Sequence, residues 1–186
     1  MTLDTNLTEY ILAYSDGDSV ALDVIIEALY DQLKLAAAKQ LNKLNPESIS
    51  ANDLVHEVYL KFSANQSFNA NSRMHFMAIA ATAMRQLIID QLKAKKRQKR
   101  GGDLYATTLS DKKMPLNDNA LEIISVNEAL SKLRAIDPKL AQTVECRYFA
   151  GYTEQETAEA LNVNVRTVRR YWSRSKRWLL LELSNE

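Results

Sequence analysis

Apolar residues recur along this chain at three- and four-residue spacing, and no run alternates apolar with polar residues between turn signals, so the pattern predicts helices and no strand. Leu7 to Ala13 predicts a short helix, stopped by Ser15-Asp16-Gly17. Asp18 or Ser19 then caps a longer helix with Val20, Val24, Ile25, Leu29, Leu33, Leu41 and Leu44 at core spacing, ended by Asn45-Pro46. Ser50 with Asp53 marks another cap before ANDLVHEVYLKF, whose Leu54, Val58 and Phe62 share a face. The small, polar stretch SANQSFNANS follows, with one aromatic ring, Phe68.

From Arg73 to about Gln98 the spacing predicts one long helix, apolar nearly all round in its first half and so placed in a core. His75, Thr82, Gln86, Asp90, Lys93 and Arg97 nevertheless fall within about 40° of Gln86, a polar stripe interrupted by Ile79. Lys93, Lys95, Lys96, Arg97, Lys99 and Arg100 extend it into a basic run. Gly101-Gly102 breaks the helix, and Asp103 to Asn119 has the low apolar content of a linker. An all-α protein is expected, with two small helical domains, residues 1–100 and 120–186, joined by a flexible linker over 101–119.

The second domain opens with a helix over Ala120 to Ile136, Leu121, Ile124, Leu130 and Leu133 facing inward. Asp137-Pro138 is an N-cap with proline at the first helical position of a helix ending at Gly151. In TEQETAEALNVNVRTVRRYW, Thr153 and Glu156 form a capping box, Asn162 stands where a left-handed residue ends a helix, and Asn164 caps the next. That is a helix-turn-helix. On its last helix Val165, Val168, Trp172, Ser175, Leu179 and Leu183 lie between about −20° and +60° of Val168, with Arg166, Arg169, Arg170, Ser173, Arg174 and Arg177 at about 100° to 240°. Arg166, Arg169, Arg170, Arg174, Lys176 and Arg177 have no acid between Val163 and Leu181, so the i,i+4 ion pairs of an ordinary solvated face are missing. Uncompensated cations on the second helix of such a motif suit a DNA major groove. Arg166, Thr167, Arg169, Arg170, Ser173 and Arg174 lie where base edges are in reach, and Lys176 and Arg177 where phosphate is met.

The net charge of +1 conceals segregation: residues 1–60 carry −7, residues 61–100 carry +8, and the remainder balances. With 186 residues, 46% of them apolar, the chain suits one or two small domains. The single cysteine, Cys146, excludes an internal disulfide and sits among apolar positions as a core residue. No signal peptide and no apolar run of eighteen is present, so a soluble, cytoplasmic protein without a membrane partner is expected. An enzyme is disfavoured. His56-Glu57 lacks the second histidine of a zinc hydrolase helix, position 60 being Leu60, and two histidines, one cysteine and no glycine-rich phosphate loop supply no catalytic, metal or cofactor site. A stand-alone helix-turn-helix regulator is the alternative, disfavoured by the basic, aromatic-bearing first domain and the long linker.

ANDLVHEVYLKF, the helix ending MRQLIIDQLKAKKR, the linker, and IDPKLAQTVECRYFAGYTEQETAEALNVNVRTVRRYWSRSKRWL together resemble a bacterial extracytoplasmic-function (ECF) sigma factor, in particular the subgroup with a histidine-phenylalanine pair, here His75-Phe76, opening the long helix and a basic run ending in Gly-Gly. The resemblance implies that residues 1–100 are a sigma-two domain, which recognises the minus-ten element and helps open the duplex. Residues 120–186 would be a sigma-four domain, which reads the minus-thirty-five element. Phe68, His75, Gln86, Lys93, Lys96 and Arg97 then become candidates for holding the melted strand. Gln86 occupies a position often held by asparagine in that family. Asp53, Leu54, Glu57 and Lys61 become candidates for binding RNA polymerase. The implied partners are core RNA polymerase, through the clamp coiled coil of its largest subunit and its flap, and promoter DNA, with an anti-sigma factor left open.

Overall fold

The computed structural model describes residues 3–44, 49–64, 69–101 and 118–184. Phe68 and residues 102–117 of the expected linker lie outside them, as does the side chain of Lys96. Among the described residues every regular element is helical: α1 (Leu3–Ser15), α2 (Val20–Leu44), α3 (Ala51–Ser63), α4 (Arg73–Gly101), α5 (Asp118–Ile136), α6 (Pro138–Val144), a π-helical turn (Glu145–Phe149), α7 (Glu154–Leu161) and α8 (Val165–Ser184).

In the first half, α1, α2 and α3 pack around α4. Ile11, Leu22, Ile25, Leu29, Leu33, Leu54, Phe76, Met84 and Ile88 are shielded almost completely from solvent. The rings of Phe62 and Phe76 meet edge to face at 5.8 Å, the geometry their quadrupoles favour. A buried amide fixes one crossing: Gln40 Nε2 of α2 donates to the Ala81 carbonyl of α4 at 2.8 Å. At the entry to α4, the Ser15 hydroxyl donates to the Ala70 carbonyl at 2.9 Å and accepts from the Ala70 amide at 3.1 Å. The Tyr14 hydroxyl donates to the Phe62 carbonyl at 2.8 Å, and burial raises its phenol pKa.

In the second half, α5, α6 and α8 enclose Leu130, Leu133, Leu140 and Val144, and Val168 of α8 is also buried. Ser175, the one polar member of the apolar α8 stripe, is fully buried, its Oγ 3.0 Å from the Leu140 carbonyl oxygen and 2.8 Å from that of Tyr171. A buried hydroxyl thus keeps its hydrogen bonding inside the core. Asp137 caps α6 through Lys139 and Leu140, with Pro138 in the first turn, as the sequence leads one to expect. The helix does not then run regularly to Gly151. It widens at Glu145, where the Ala150 amide donates to the Glu145 carbonyl at 2.9 Å, five residues back.

The halves expected on either side of the linker touch. α4 lies against α7, the π-helical turn and α5. Met74 and Ala78 of α4 pack with Cys146, Ala160 and Leu161 in one apolar cluster. The Tyr152 hydroxyl donates to the Met74 carbonyl at 3.1 Å.

Candidate nucleic-acid interface

The corner between α7 and α8 follows its local chemistry. The Glu156 amide donates to Thr153 Oγ1 at 3.2 Å, and the Glu156 carboxylate accepts from the Thr153 amide at 2.7 Å, closing the capping box. Asn162 ends α7 in the left-handed conformation, with φ of 51° and ψ of 52°. Asn164 Oδ1 accepts from the Thr167 amide at 2.8 Å and so starts α8. Val168 and Ser175 are buried, whereas Leu183, expected on the same stripe, is exposed near the end of the helix.

The opposite face of α8 is open: Arg166, Arg169, Arg170, Ser173, Arg174, Lys176 and Arg177 are all exposed, and Thr167 is half-buried. Sequence reasoning found no counter-charge along the helix, but the fold brings two from elsewhere. Arg169 Nε donates to Glu154 of α7 at 2.7 Å, and Arg174 lies 4.0 Å from Asp137. With side chains 68% and 59% exposed, both arginines remain in solvent, where such pairs are weak and are displaced at little cost. The Arg170 guanidinium lies 5.7 Å from the centre of the Tyr171 ring and Lys176 Nζ 5.5 Å from that of Trp172, so rings of α8 itself hold two cations on its surface. Arg147 packs on Trp172 at 5.6 Å and donates to the Tyr152 carbonyl at 2.8 Å, bracing α8 against the chain entering α7. Between α5, α6 and α8 runs a groove of about 620 Å³, its apolar floor including Leu133, Leu140 and Trp178 and its rim Ile136, Leu181 and the arginines 170, 174 and 177.

On α4 the candidate residues are more engaged. His75 is half-buried, with Nδ1 3.1 Å from Asn71 Oδ1. Burial lowers its pKa, and neighbouring Lys139 lowers it further. Gln86 is half-buried and its Oε1 accepts from Lys61 Nζ at 3.3 Å, joining a strand candidate to a polymerase candidate. Lys93 pairs with Glu128 of α5 at 3.6 Å, and Arg97 is exposed.

The outward face of α3 shows Asp53, Glu57 and Lys61, all exposed. Leu54 departs from the expectation of a polymerase contact: its side chain is wholly buried, so it holds α3 on the core and presents nothing to a partner. Asp53 is committed twice, since its carboxylate accepts from the Ser50 hydroxyl at 2.6 Å and the Ser50 amide at 3.1 Å, which holds its pKa below the ordinary carboxylate value. Glu57 has no such duty in the capping box.

A polar cluster that sequence reasoning did not assemble lies where α4 meets the second half. Arg85 Nη2 donates to Glu145 Oε1 at 2.6 Å, with side chains only 3% and 6% exposed. The Arg134 guanidinium reaches the same oxygen, Thr82 donates to Glu145 Oε2 at 3.0 Å, and Arg85 also bonds Asn127 while packing over the Phe149 ring at 5.1 Å. Burial lowers the Arg85 pKa, and the Glu145 carboxylate opposes that shift. A signal was present: Arg85 is the lone charge within MHFMAIAATAMRQLII, and Glu145 the lone acid in LAQTVECRYF. Single charges inside apolar helices seek partners of opposite sign. Cys146, beside Glu145, is buried, and burial together with that carboxylate pushes its thiol up to about 12, so it is a core residue without nucleophilic character.

Among the described residues no helix is long and apolar enough to cross a membrane. No curated protein matches the chain. Among solved structures it is similar to CnrH in its complex with the cytosolic domain of CnrY, at 16% identity over 96% of this chain and 97% of that one, with a TM-score of 0.41. It is also similar to the sigma factor RpoE from Bartonella quintana, solved with the anti-sigma factor NepR, at 19% identity over 85% of this chain and 95% of that one, with a TM-score of 0.39. The model of the ECF sigma factor family matches residues 4–185, nearly the whole of this all-helical chain with its helix-turn-helix, and the protein belongs to that family of non-catalytic transcription initiation factors.

Proposed function

We propose that the protein binds core RNA polymerase and directs initiation at promoters whose minus-thirty-five duplex is read by α8 and whose melted minus-ten strand is held along α4. Membership in the family supports the overall role. The observation that carries the division of labour is the exposed cationic face of α8, which stands on a capped helix-turn-helix and, among the described residues, meets two weakly held acids. Reading duplex edges needs a rigid helix that fits the major groove. Arg166, Thr167, Arg169, Arg170, Ser173 and Arg174 do the reading, and Lys176 and Arg177 grip phosphate.

Capturing a strand needs cations and surfaces for unpaired bases. His75, Gln86, Lys93 and Arg97, with Phe68 and Lys96 from the sequence, supply them. Glu57 and Lys61 on α3, with Asp53 at its cap, dock on the clamp coiled coil. The groove between α5, α6 and α8, with its apolar floor, accepts the flap. The His75-Phe76 pair and the basic run ending in Gly-Gly support the subgroup assignment. An anti-sigma factor, the kind of partner with which the Bartonella quintana protein was solved, completes the set.

The test is transcription in vitro with purified protein and core polymerase on a genomic library, start sites being mapped. New start sites sharing two spaced elements are expected. Finding none, while free protein alone protects a palindromic site, would replace this reading with that of a stand-alone regulator.

A further inference from the structure

One edge of α4 is claimed twice. Thr82, inside the polar stripe assigned to the melted strand, donates to Glu145 of the second half. Lys93, further along the stripe, pairs with Glu128 of α5. His75, at its start, is half-buried with Lys139 of α6 as its charged neighbour. A DNA strand and the second half of the chain therefore compete for the same positions.

At the centre of this contact a single carboxylate is surrounded by donors. Glu145 meets Arg85 at 2.6 Å and Thr82 at 3.0 Å, with Arg134 on the Arg85 side. Arg85 and Thr82 belong to α4 and Arg134 to the second half, so on separation one guanidinium and one hydroxyl stay together on α4, donors that suit a phosphate group. Arg85 is 3% exposed, so in the absence of Glu145 it would require another anion or open access to water. The contact also leaves an open cleft of about 160 Å³ bordered by His75, Thr82, Arg134, Glu145 and Cys146, so the two halves meet without filling the space between them.

We propose that Glu145 is a latch: in the free protein it holds the second half over the strand-facing edge of α4, and when it lets go Arg85 passes to a backbone phosphate of the captured strand. The proposal rests on the strand-capture reading of α4 given above. The latch leaves the other surfaces usable. Glu57 and Lys61 of α3 and the α8 arginines are exposed in the closed form, so polymerase and upstream duplex are reachable before the latch opens. Strand capture is then limited by the fraction of molecules that are open.

The experiment has two readouts. In a Cys146→Ala background, nitroxide labels at Ser63→Cys and Ser131→Cys, both exposed positions, report the distance between the halves. Holoenzyme made with the unlabelled variants is scored on a mapped promoter by permanganate reactivity of unpaired thymines. A single narrow distance is expected for the parent and a broader, longer distribution for Glu145→Ala, with faster appearance of reactive thymines by roughly tenfold, the effect of removing a closed state that outnumbers the open one by that ratio. Glu145→Gln, which keeps the shape and removes the charge that pairs with Arg85, should fall between the two and serves if Glu145→Ala does not fold by circular dichroism. Thr82→Ala removes the hydroxyl alone and provides a third point. An unchanged distance distribution in both Glu145→Ala and Glu145→Gln would overturn the latch, and so would a broad distribution in the parent. Opened halves with no gain in strand opening would overturn its role in promoter capture. If the variants open as expected but no form of the protein yields start sites with polymerase, the latch stands and the transcriptional reading of α4 falls.

Discussion

Arg85 and Arg169 are the same residue under opposite management. Arg169 lies on α8 with its side chain mostly in solvent and one partly exposed carboxylate, Glu154, at 2.7 Å. Arg85 lies inside, also against one carboxylate, at 2.6 Å, with a ring over its guanidinium. The distances hardly differ, yet the surroundings decide what each arginine is free to do. In water an ion pair is screened and a DNA phosphate or base edge displaces it readily. In a low-dielectric contact the pair is held until its whole environment opens. Availability to DNA is set by the burial of the counter-charge more than by the charge itself.

The comparison is sharpest in a double-mutant cycle. Arg85 with Glu145 should show a coupling of about 2–3 kcal/mol in denaturant unfolding, and Arg169 with Glu154 less than about 1 kcal/mol. Equal couplings would erase the distinction. Next in size is recognition. Arg169→Ala should leave unfolding within about 0.5 kcal/mol of the parent but lose about 1–3 kcal/mol of discrimination at one upstream base pair, seen in promoter libraries selected with mutant holoenzyme. Lys176→Ala should weaken all sequences alike and reduce the salt slope by about 1. If Arg169→Ala kept the parent's preference while Gln86→Ala changed it, the assignment of the two helices to the two promoter elements would be reversed.

Smaller effects test the supports of each face. Thr153→Ala removes the α7 cap and should cost about 1 kcal/mol in thermal unfolding of the second half. Glu57→Lys should lower affinity for core polymerase in a pull-down titration without shifting the melting temperature. Asp53→Lys should lower both, because it also destroys the α3 cap. The pH effect is smallest. His75 has a lowered pKa when the halves are docked, so the separated form takes up a proton first, and docking weakens as pH falls below about 6.5. The relevant charged neighbour across the contact is Lys139, with Asn71 on His75's own side. His75→Gln should remove this part of the pH dependence of the nitroxide distance.

The features legible in the sequence are those written in local chemistry. Thr153 with Glu156, Ser50 with Asp53, Asn162 and Asp137-Pro138 each fix a helix end through bonds within a few residues, and each is found where its spacing placed it. The open face of α8 was legible for the same reason, since a 100° wheel needs only the helix itself. Contacts across the fold were not. Nothing local to Arg169 or Arg174 announces Glu154 or Asp137, which reach them through the turn of the motif and the end of α5. Leu54 was read both as core and as a contact, and its burial settles it as core. The meeting of the two halves was hidden because a linker's composition describes how far two units can separate and says nothing about the surfaces they share.

The π-helical turn has a consequence at the level of chain length. In an unbroken α-helix, Leu140, Ala141 and Val144 would place Tyr148 within about 80° of each of them, on the inward side. The observed order is shifted by one: Tyr148 is 50% exposed and Phe149 is buried, its ring under Arg85. The turn acts as an inserted place in the count, and the residues on either side of it keep different reading frames toward the core. Losing one residue from Glu145–Arg147 would bring the frames back into step, and Phe149 would then take the inward place of an unbroken helix while Tyr148 stayed outside. At this point in the chain a one-residue deletion is thus absorbed with less loss of register than elsewhere in a helix, whereas an added residue has no such slack.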